Sequence, residues 1–391
     1  MLHAIPAAAM SIDELDPSLI PPDQGQTELQ VYIPETGHTI RGMILDYWRA
    51  NGSGLIYGNP ISEPFVGPNG LYSQAFERAI FQYDPTYLWT EDPVIRPMPI
   101  GQMLLADLTD ASRADGRRSG GIANLVAFTP PSADSERAAK VEELGGRFSE
   151  VTGFSIAGDF ATWYDANEGD FYLGSPLSEP FAQRGKTVQY YERGILAQGK
   201  NGAELLSSPY DTAAKWGFDT AKVDQGDIPT YDESLFQTAY NPSGVDVTQL
   251  SGRRWIYVSL SEQMMTVYQG DTVVLQSYIS SGLAPNVTSP GEFHIRLKYP
   301  SQTMSGFTDA TGEVTGFADD ETSTPAGESR WEVEDVPDVM YFSMSAEALH
   351  GAYWHNNFGN PMSHGCINQP LDVAAFMYGW APLGTEVTVV E

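Results

Sequence analysis

From residue 253 to the C terminus, apolar and polar positions alternate in short runs that predict β-strands. The runs are rich in β-branched and aromatic residues, and turns of Gly, Pro, Asp and Ser separate them. They occupy residues 255–258, 264–268, 273–280, 292–297, 339–342 and 387–390. In residues 370–380, apolar positions at helical spacing follow a proline and predict one short amphipathic helix. Residues 251–391 are therefore predicted to form a mainly β domain, a sandwich or barrel with one short helix.

Residues 301–330 separate two of these predicted strands and show neither the strand nor the helix period. The segment is rich in Gly and in acidic residues, among them Asp319, Asp320 and Glu321. Long segments of this kind in compact domains are usually lids or disordered. We predict that this segment is a flap near a functional site.

A duplicated module precedes the β domain. Residues 36–65 align without gaps to residues 152–181, and twelve of the thirty aligned positions are identical. Each copy has aromatic residues at helical spacing, then a Gly-x-Pro turn, then a Glu-Arg pair beside apolar residues. This order predicts a helix followed by short strands. We predict two small α+β modules, at residues 31–106 and 141–223.

Polar segments fill the rest of the chain. Residues 1–30, 107–140 and 224–250 are rich in Pro, Asp, Ser and Gly and lack hydrophobic periodicity. This composition is typical of tails and exposed linkers. We predict a tail in the first segment, a connector with one short helix near its end in the second, and a linker in the third.

The charge of the chain narrows the classes of function. Among its 391 residues, 21 are basic and 51 acidic, which gives a formal net charge of −30. Without a run rich in Lys or Arg, a nucleic-acid-binding surface is not expected. A transmembrane segment is not expected either, because no apolar stretch approaches the roughly 20 residues that span a bilayer. The acidity fits a solvated surface or a cation-binding one.

Candidate chemistry is concentrated near the C terminus. The single cysteine, Cys366, follows His350, His355 and His364, which are three of the six histidines. One cysteine excludes an internal disulfide and a four-thiolate metal site. A thiol with a pKa of about 8.5 is mostly protonated at neutral pH, so a nucleophilic cysteine needs a base or a positive dipole nearby. His350 can be that base, and Gly365 allows a tight turn whose N–H groups could stabilise an oxyanion.

Other interpretations of these residues stay open. The three histidines and the thiol have the donor types of a tetrahedral zinc site, although their spacing fits no zinc pattern. A lone cysteine can also be inert packing. His364 could make only a structural hydrogen bond, and His355 could lie at the rim of a site or contact a substrate.

This segment resembles the signature of the L,D-transpeptidase catalytic domain, also called the YkuD-type domain. The signature is a His, a spacer and then Ser/Thr-His-Gly-Cys-x-Asn/Arg, which corresponds to Ser-His-Gly-Cys-Ile-Asn at residues 363–368. The resemblance extends over residues 253–391. It includes Ser-Pro-Gly-Glu-Phe at residues 289–293 and Leu-Gly-Thr-Glu-Val at residues 383–387. The spacer is slightly shorter than is usual in the family.

The resemblance implies catalysis through a cysteine thioester. Cys366 would be the nucleophile and His350 the general base, with the carbonyl of Gly351 orienting the imidazole. The N–H groups around Gly365 and Cys366 would form the oxyanion hole. Ser363 and His364 would shape the site. Four side chains are expected to contact the substrate: Asn368, His355, Tyr353 and Trp354.

The resemblance also implies the substrates and the location. The donor would be a tetrapeptide stem of peptidoglycan, cut before its terminal D-alanine, and the acceptor a side-chain amine on another stem. The product would be a 3→3 cross-link, formed without a metal or a cofactor. The protein would act outside the cytoplasm, at the cell wall, with a secretion signal upstream of Met1.

Two other functions remain compatible with the sequence. An L,D-carboxypeptidase would pass the same thioester to water, and a non-catalytic protein would bind or support the cell wall. The two modules would form either a rigid stalk or a surface that binds cell-wall glycan through exposed Tyr and Trp residues.

Overall fold

The computed structural model describes residues 12–22, 29–114, 125–131, 135–206, 217–238, 241–318 and 322–391. The chain divides into two units. As far as its residues are described, the first unit contains Met1–Glu14, Ile56–Gln82 and Pro97–Ala221. The second unit contains Leu15–Leu55, Tyr83–Arg96 and Lys222–Glu391. Strands predominate over helices, which confirms the prediction of a mainly β protein.

The strands in the described part of the first half are β1 (Gln30–Ile33), β2 (His38–Arg41), β3 (Phe65–Val66), β4 (Tyr72–Ala75), β5 (Ile80–Tyr83), β6 (Ile95–Pro97), β7 (Arg147–Phe148), β8 (Ser155–Ile156), β9 (Phe181–Gln183), β10 (Lys186–Tyr190), β11 (Ile195–Gly199) and β12 (Gly202–Leu205). Those that follow are β13 (Arg254–Ser259), β14 (Met264–Gln269), β15 (Thr272–Tyr278), β16 (Gly291–His294), β17 (Leu297–Thr308), β18 (Val314–Phe317), β19 (Ser329–Tyr341), β20 (Ala348–Gly351), β21 (Ile367–Gln369) and β22 (Glu386–Val390). The α-helices are α1 (Gly42–Ala50), α2 (Ser53–Ile56), α3 (Ile100–Ala114), α4 (Ser135–Glu143), α5 (Gly158–Ala166), α6 (Gly169–Tyr172) and α7 (Leu371–Trp380).

The two sequence repeats have the same order of elements. Helices α5 and α6 begin and end 116 residues after α1 and α2. The hairpin of β4 and β5 in the first copy corresponds to the hairpin of β10 and β11 in the second. Both copies therefore have the predicted helix followed by short strands. The boundary between the two units falls inside the first copy, after Leu55.

The arginine of the repeated Glu-Arg pair caps a short helix in each copy. The guanidinium of Arg78 donates from Nε to the carbonyl of Ile56, the last residue of α2, over 2.6 Å. Arg193 makes the equivalent bond to Tyr172, the last residue of α6, over 3.3 Å. The carbonyls of the last helical turn have no partner inside the helix, so these bonds satisfy them. The repeated arginine thus has a structural role in both copies.

The repeated Ser-Glu-Pro-Phe sequence also makes matching contacts in the first unit. The hydroxyl of Ser62 accepts the N–H of Ala75, and that of Ser178 accepts the N–H of Tyr190, both over 3.1 Å. Both serines are fully buried. Each hydroxyl therefore satisfies a buried backbone donor next to the hairpin. Both repeated motifs thus contribute to the folding of the module.

Two five-stranded sheets form the C-terminal part of the second unit. The strand order is β15-β14-β13-β22-β16 in one sheet and β18-β17-β19-β20-β21 in the other. In the first sheet, parallel pairing of β13 with β22 places Ile256 opposite Val387 and Val258 opposite Val389. Alternate residues of a strand point to the same face, so Ile256 and Val258 share one face with Val387 and Val389. All four side chains are buried on that face. The alternating pattern of the sequence thus predicted these strands correctly.

Helix α7 confirms the predicted helix but is not amphipathic. Its seven buried residues are Val373, Ala374, Phe376, Met377, Tyr378, Gly379 and Trp380, which surround the helix axis. Leu371, which the sequence pattern assigned to the apolar face, is instead 47% exposed. The helix is enclosed because it packs against both β19 and β20. A helix buried nearly all round lies in a core rather than on a surface.

The predicted flap at residues 301–330 is largely strand in its described part. Strands β17 and β19 pair from Leu297 opposite Tyr341 to Thr308 opposite Ser329, and a bulge interrupts the ladder between Gln302 and Met304. Strand β18 pairs with the outer end of β17. The bulge shifts the register, so the sequence shows no regular period here. Residues 319–321, which include the acidic run named above, lie outside the described residues.

The segment predicted as a linker, residues 224–250, belongs to the second unit in its described part. Glu233 is buried and pairs with Arg49 of α1 over 2.6 Å and with Arg254 of β13 over 2.8 Å. The hydroxyl of Tyr231 donates to the same carboxylate over 2.7 Å. The two arginines and the tyrosine hydroxyl compensate the cost of burying the Glu233 carboxylate.

The other predicted connecting segments are partly helical. Helix α3 runs to Ala114 and so extends into the predicted connector at residues 107–140, and α4 is the short helix expected near its end. In the predicted tail, 3-10 turns occupy Ile12–Glu14 and Pro17–Leu19. Among the described residues, no helix is both long and apolar enough to cross a membrane.

Candidate active site

His350 and Cys366 lie on neighbouring parallel strands. His350 belongs to β20, and Cys366 directly precedes β21. The pairing places Leu349 opposite Ile367 and His350 opposite Asn368. Since alternate residues of a strand share a face, the imidazole of His350 and the thiol of Cys366 point to the same side of the sheet. The fold thus brings together two residues that are sixteen positions apart in the sequence.

The protonation state of His350 follows from its hydrogen bond. Its Nδ1 lies 3.0 Å from the carbonyl oxygen of Gly351. A carbonyl only accepts, so Nδ1 carries the proton and Nε2 is the basic nitrogen of the neutral ring. Burial lowers the pKa of His350 to about 4, against a smaller rise from the Gly351 carbonyl. His350 is therefore neutral at physiological pH, as a general base must be.

Cys366 is half-buried, and its thiol is neutral. Burial raises the pKa of the Cys366 thiol to about 11, and the charge of Glu347 raises it further, while a hydrogen bond from the backbone of Ala348 lowers it. Within the part of the chain that the structure describes, the thiol makes no hydrogen bond to an imidazole. The pair is therefore a neutral thiol and a neutral base, and not a preformed thiolate and imidazolium.

The turn before Cys366 is stabilised by Ser363 and Thr288. The Ser363 hydroxyl donates to the carbonyl of Cys366 and accepts the N–H of Gly365 over 3.2 Å. Thr288 donates to the carbonyl of Gly365 over 2.7 Å. Gly365 has a φ of +122°, which side-chain-bearing residues rarely adopt. Ser363 thus holds the turn that presents the thiol.

The backbone N–H groups of Gly365 and Cys366 differ in whether they are free to donate to an oxyanion. The N–H of Gly365 is bonded to Ser363. The N–H of Cys366 has no backbone or side-chain acceptor among the described residues. An unbonded donor beside a nucleophile is what an oxyanion hole requires. Of the two donors predicted from the sequence, Cys366 is therefore the better placed.

Residues 280–283, which the sequence interpretation did not single out, form backbone hydrogen bonds with residues on both sides of this turn. Backbone bonds join Ser280 to Asn368 in both directions, over 3.0 and 2.9 Å, and Leu283 to Ser363 over 2.9 Å. Gly282 lies between them, and a Cβ there would be 2.0 Å from the carbonyl oxygen of Asn286. Only glycine fits this position. The glycine at residue 282, which follows two serines, was the only signal in the sequence.

Glu347 was also missed by the sequence interpretation. Its buried carboxylate accepts the N–H of Ser289 over 2.8 Å and the hydroxyl of Ser343 over 2.9 Å. The carboxylate of Glu347 thus brings a negative charge close to Cys366. This charge contributes to the raised pKa of the Cys366 thiol.

The side chain of His364 is largely exposed. Its ring stacks on Trp331 of β19, with ring centroids 4.9 Å apart and an angle of 26° between the planes. Burial lowers the pKa of His364, so this ring too is neutral. The structure thus places His364 beside Cys366, where it lines the same cavity.

The four predicted substrate contacts lie around His350. Asn368 Nδ2 is 2.9 Å from His355 Nε2, and the hydroxyl of Tyr353 donates to the carbonyl of Glu334 over 2.7 Å. Trp354 packs on His350 with ring centroids 5.8 Å apart. Tyr353 and Trp354 are more than 40% exposed and could contact a ligand, whereas Asn368 is buried.

A cavity of about 980 Å³ opens onto Cys366. Gly365, His364 and Glu347 line it, together with residues of β17, β18 and β19 and of the segment at residues 88–95. The four predicted substrate contacts do not line this cavity, so they and the cavity are different surfaces near the thiol. Among the described residues, no group of three or more His, Cys, Asp or Glu side chains is arranged to hold a metal ion.

The fold and site define a β-sheet domain with a cysteine and a neutral histidine on paired strands. Residues 253–389 match the family model of the L,D-transpeptidase catalytic domain, YkuD. The C-terminal part of this chain is therefore an L,D-transpeptidase catalytic domain. No curated protein matches the chain in sequence.

Several solved structures are similar to this part of the chain. An L,D-transpeptidase from Mycobacterium smegmatis is 21% identical over 35% of this chain and 58% of its own, with a TM-score of 0.28. The catalytic domain of an E. faecium L,D-transpeptidase acylated by ertapenem is 27% identical over 35% of this chain and 96% of its own, with a TM-score of 0.28. L,D-transpeptidase 3 from Mycobacterium tuberculosis is 20% identical over 37% and 66%, with a TM-score of 0.28. This chain thus spans 58% of the length of the M. smegmatis protein.

Proposed function

We propose that this protein is a peptidoglycan L,D-transpeptidase that forms 3→3 cross-links through a thioester on Cys366. The observation that carries the proposal is the state of His350. Its Nδ1 proton is held by the Gly351 carbonyl, which leaves a neutral Nε2 on the face of the sheet that carries the thiol. The match of residues 253–389 to the family model supports the reaction class.

In the first half-reaction, Cys366 attacks the carbonyl before the terminal D-alanine of a tetrapeptide stem. Nε2 of His350 takes the thiol proton as the S–C bond forms, because a neutral thiol is a poor nucleophile. The N–H of Cys366 donates to the oxyanion of the tetrahedral intermediate. The C–N bond then breaks, the imidazolium returns the proton to the amine of D-alanine, and a thioester remains.

In the second half-reaction, a side-chain amine of another stem attacks the thioester. His350 takes a proton from this amine, the C–S bond breaks and the thiolate of Cys366 regains the proton. The result is an amide between two stems, and the enzyme returns to its starting state. Ser363 holds the turn, and His364 forms part of the wall beside the thiol.

The same family match supports a location outside the cytoplasm, where peptidoglycan lies. Asn368, His355, Tyr353 and Trp354 are proposed to contact the substrate on the side of His350. Transfer of the thioester to water would make the protein an L,D-carboxypeptidase, and the products distinguish the two reactions.

The test is covalent labelling followed by product analysis. The protein is incubated with ertapenem, and intact mass is measured for the wild type, Cys366→Ala and His350→Gln. We expect one adduct on the wild type, none on Cys366→Ala and a much slower reaction of His350→Gln. A folded wild type that gains no adduct would overturn the assignment of the nucleophile.

Disaccharide tetrapeptides then identify the acceptor. Dimers in which the third residue of one stem is joined to the third residue of the other support the transpeptidase. Tripeptides without dimers would assign the carboxypeptidase reaction instead. If ertapenem still acylates the protein but the protein neither releases D-alanine nor consumes the disaccharide tetrapeptide, the proposed substrate is refuted.

A further inference from the structure

Exposed apolar side chains gather at the cavity that opens onto Cys366. Trp89 is 82% exposed, Phe317 62%, Val287 55% and Met344 41%, and all four line the cavity. A single exposed apolar residue is ordinary, but several around one functional cavity indicate a binding surface. Trp89 has the largest ring and the greatest exposure of the four. The exposed ring gives up the stabilisation that burial would provide.

Trp89 is held in place through its backbone. Arg296, between β16 and β17, donates to the carbonyl of Leu88 over 2.7 Å and to that of Thr90 over 3.1 Å. One guanidinium thus binds the carbonyls on both sides of Trp89. These bonds orient the residue without covering its ring. A preorganised ring loses little conformational entropy when a ligand binds.

Further contacts hold the rest of this loop, residues 84–96. Glu91 accepts the N–H of Met344 over 3.0 Å, and its other oxygen lies 3.6 Å from Arg296. The N–H of Asp84 donates to the carbonyl of Val94 over 2.8 Å and closes the loop. The charge of Arg296 is balanced by Glu91 within the loop. At the cavity the loop therefore presents the exposed ring of Trp89, and the carboxylates of Glu91 and Asp92 lie in the same lining.

We propose that Trp89 is a saccharide-stacking subsite, which binds a sugar ring of the glycan that carries the donor stem. This inference rests on the proposed function. The side chains of a tetrapeptide stem are small or charged and offer no broad apolar face. The pyranose rings of the glycan have flat C–H faces, and an indole is the side chain best suited to pack against such a face. The subsite would make the enzyme prefer stems that are attached to glycan.

The first experiment measures binding without catalysis. Glycan oligomers that lack stems are titrated into the full chain and followed by the NMR line broadening of the sugar C–H protons. We expect binding to the wild type, about two- to tenfold weaker binding to Trp89→Ala, and near wild-type binding to Trp89→Phe, which keeps an aromatic face. Val151→Ala is the matched control, since Val151 is also 82% exposed but does not line the cavity.

The second experiment compares two donors, a free tetrapeptide and a disaccharide tetrapeptide, by the kcat/KM for D-alanine release. The ratio of the two values should fall about two- to tenfold in Trp89→Ala, while acylation by ertapenem and the unfolding temperature stay unchanged. A ratio equal to that of the wild type, or glycan binding that Trp89→Ala does not weaken, would overturn the subsite. Failure of the wild type to use either donor would refute the proposed function, and the binding titration would still decide on the subsite.

Discussion

Replacement of Glu233 by Gln should destabilise the second unit by several kcal/mol. Glu233 is the shared anion of two buried arginines, Arg49 on α1 and Arg254 on β13. Arg254 also donates to the carbonyl of Trp380 over 2.6 Å, at the end of the helix that follows the active-site strand β21. A neutral amide at residue 233 would remove the anion that pairs with the buried Arg254, and it would leave Arg49 only its longer ion pair with Asp46, at 3.6 Å. Loss of one partner of a buried ion pair costs about 3–5 kcal/mol.

The pKa of Glu233 gives an independent magnitude. Burial alone would raise this pKa, but the charges of Arg254 and Arg49 and the hydrogen bonds from Arg49 and Tyr231 lower it from 4.5 to about 2. A change of this size corresponds to about 3 kcal/mol, which agrees with the cost of an unpaired buried charge. Because the pKa is lower in the folded state, the stabilisation is complete above pH 4.5 and is lost as the pH falls towards 2.

Hydrogen exchange at pH 7, measured on peptides from α1 and β13, gives the opening free energy of the second unit by itself. We expect Glu233→Gln to lower it by about 3–5 kcal/mol. The surface pair of Lys186 and Glu204 supplies the control, and Glu204→Gln should change stability by less than about 1 kcal/mol. The difference between the wild type and Glu233→Gln should also shrink between pH 5 and pH 2, according to the direction of the pKa change. A variant within about 1 kcal/mol of the wild type, or a difference that does not depend on pH, would refute this reasoning.

Three further predictions concern the site and the repeats. The kcat/KM for acylation should stay level through neutral pH and fall only near pH 4, since burial lowers the pKa of His350 to about 4; an inflection near the ordinary value of 6.5 would contradict this. Gly282→Ala should slow acylation by ertapenem about a hundredfold, because the added Cβ displaces the turn that presents the thiol, whereas Gly316→Ala, which meets nothing within 4 Å, should react normally. Arg193→Ala should destabilise the first unit by about 1–3 kcal/mol through the loss of its helix-capping bonds, as read from hydrogen exchange of α6, and Lys186→Ala should have little effect.

The sequence by itself determined the strands of the C-terminal domain and the order of elements in each repeat, and it singled out Cys366 and His350, which the structure places on neighbouring strands. Local patterns carry this information. Alternation sets which face of a strand is buried, as at Ile256 and Val258, and one cysteine beside three histidines leaves few assignments open. Equivalent residues of a duplicated sequence fold alike, so α5 repeats α1 at the expected positions.

The tertiary structure decided how residues distant in sequence meet. The polar sequence around Glu233 does not reveal that this residue is buried. The buried carboxylate is stabilised by Arg49 and Arg254, which come from two other parts of the chain. Likewise, Trp89 lies in a repeat by sequence, and only the bonds from Arg296 place it at the cavity of Cys366. The pKa values of Cys366 and His350 depend on burial and on Glu347, which are properties of the packed site. Such long-range pairs leave no periodic pattern in the sequence, since hydrogen bonds and charges act over distance in space and not along the chain.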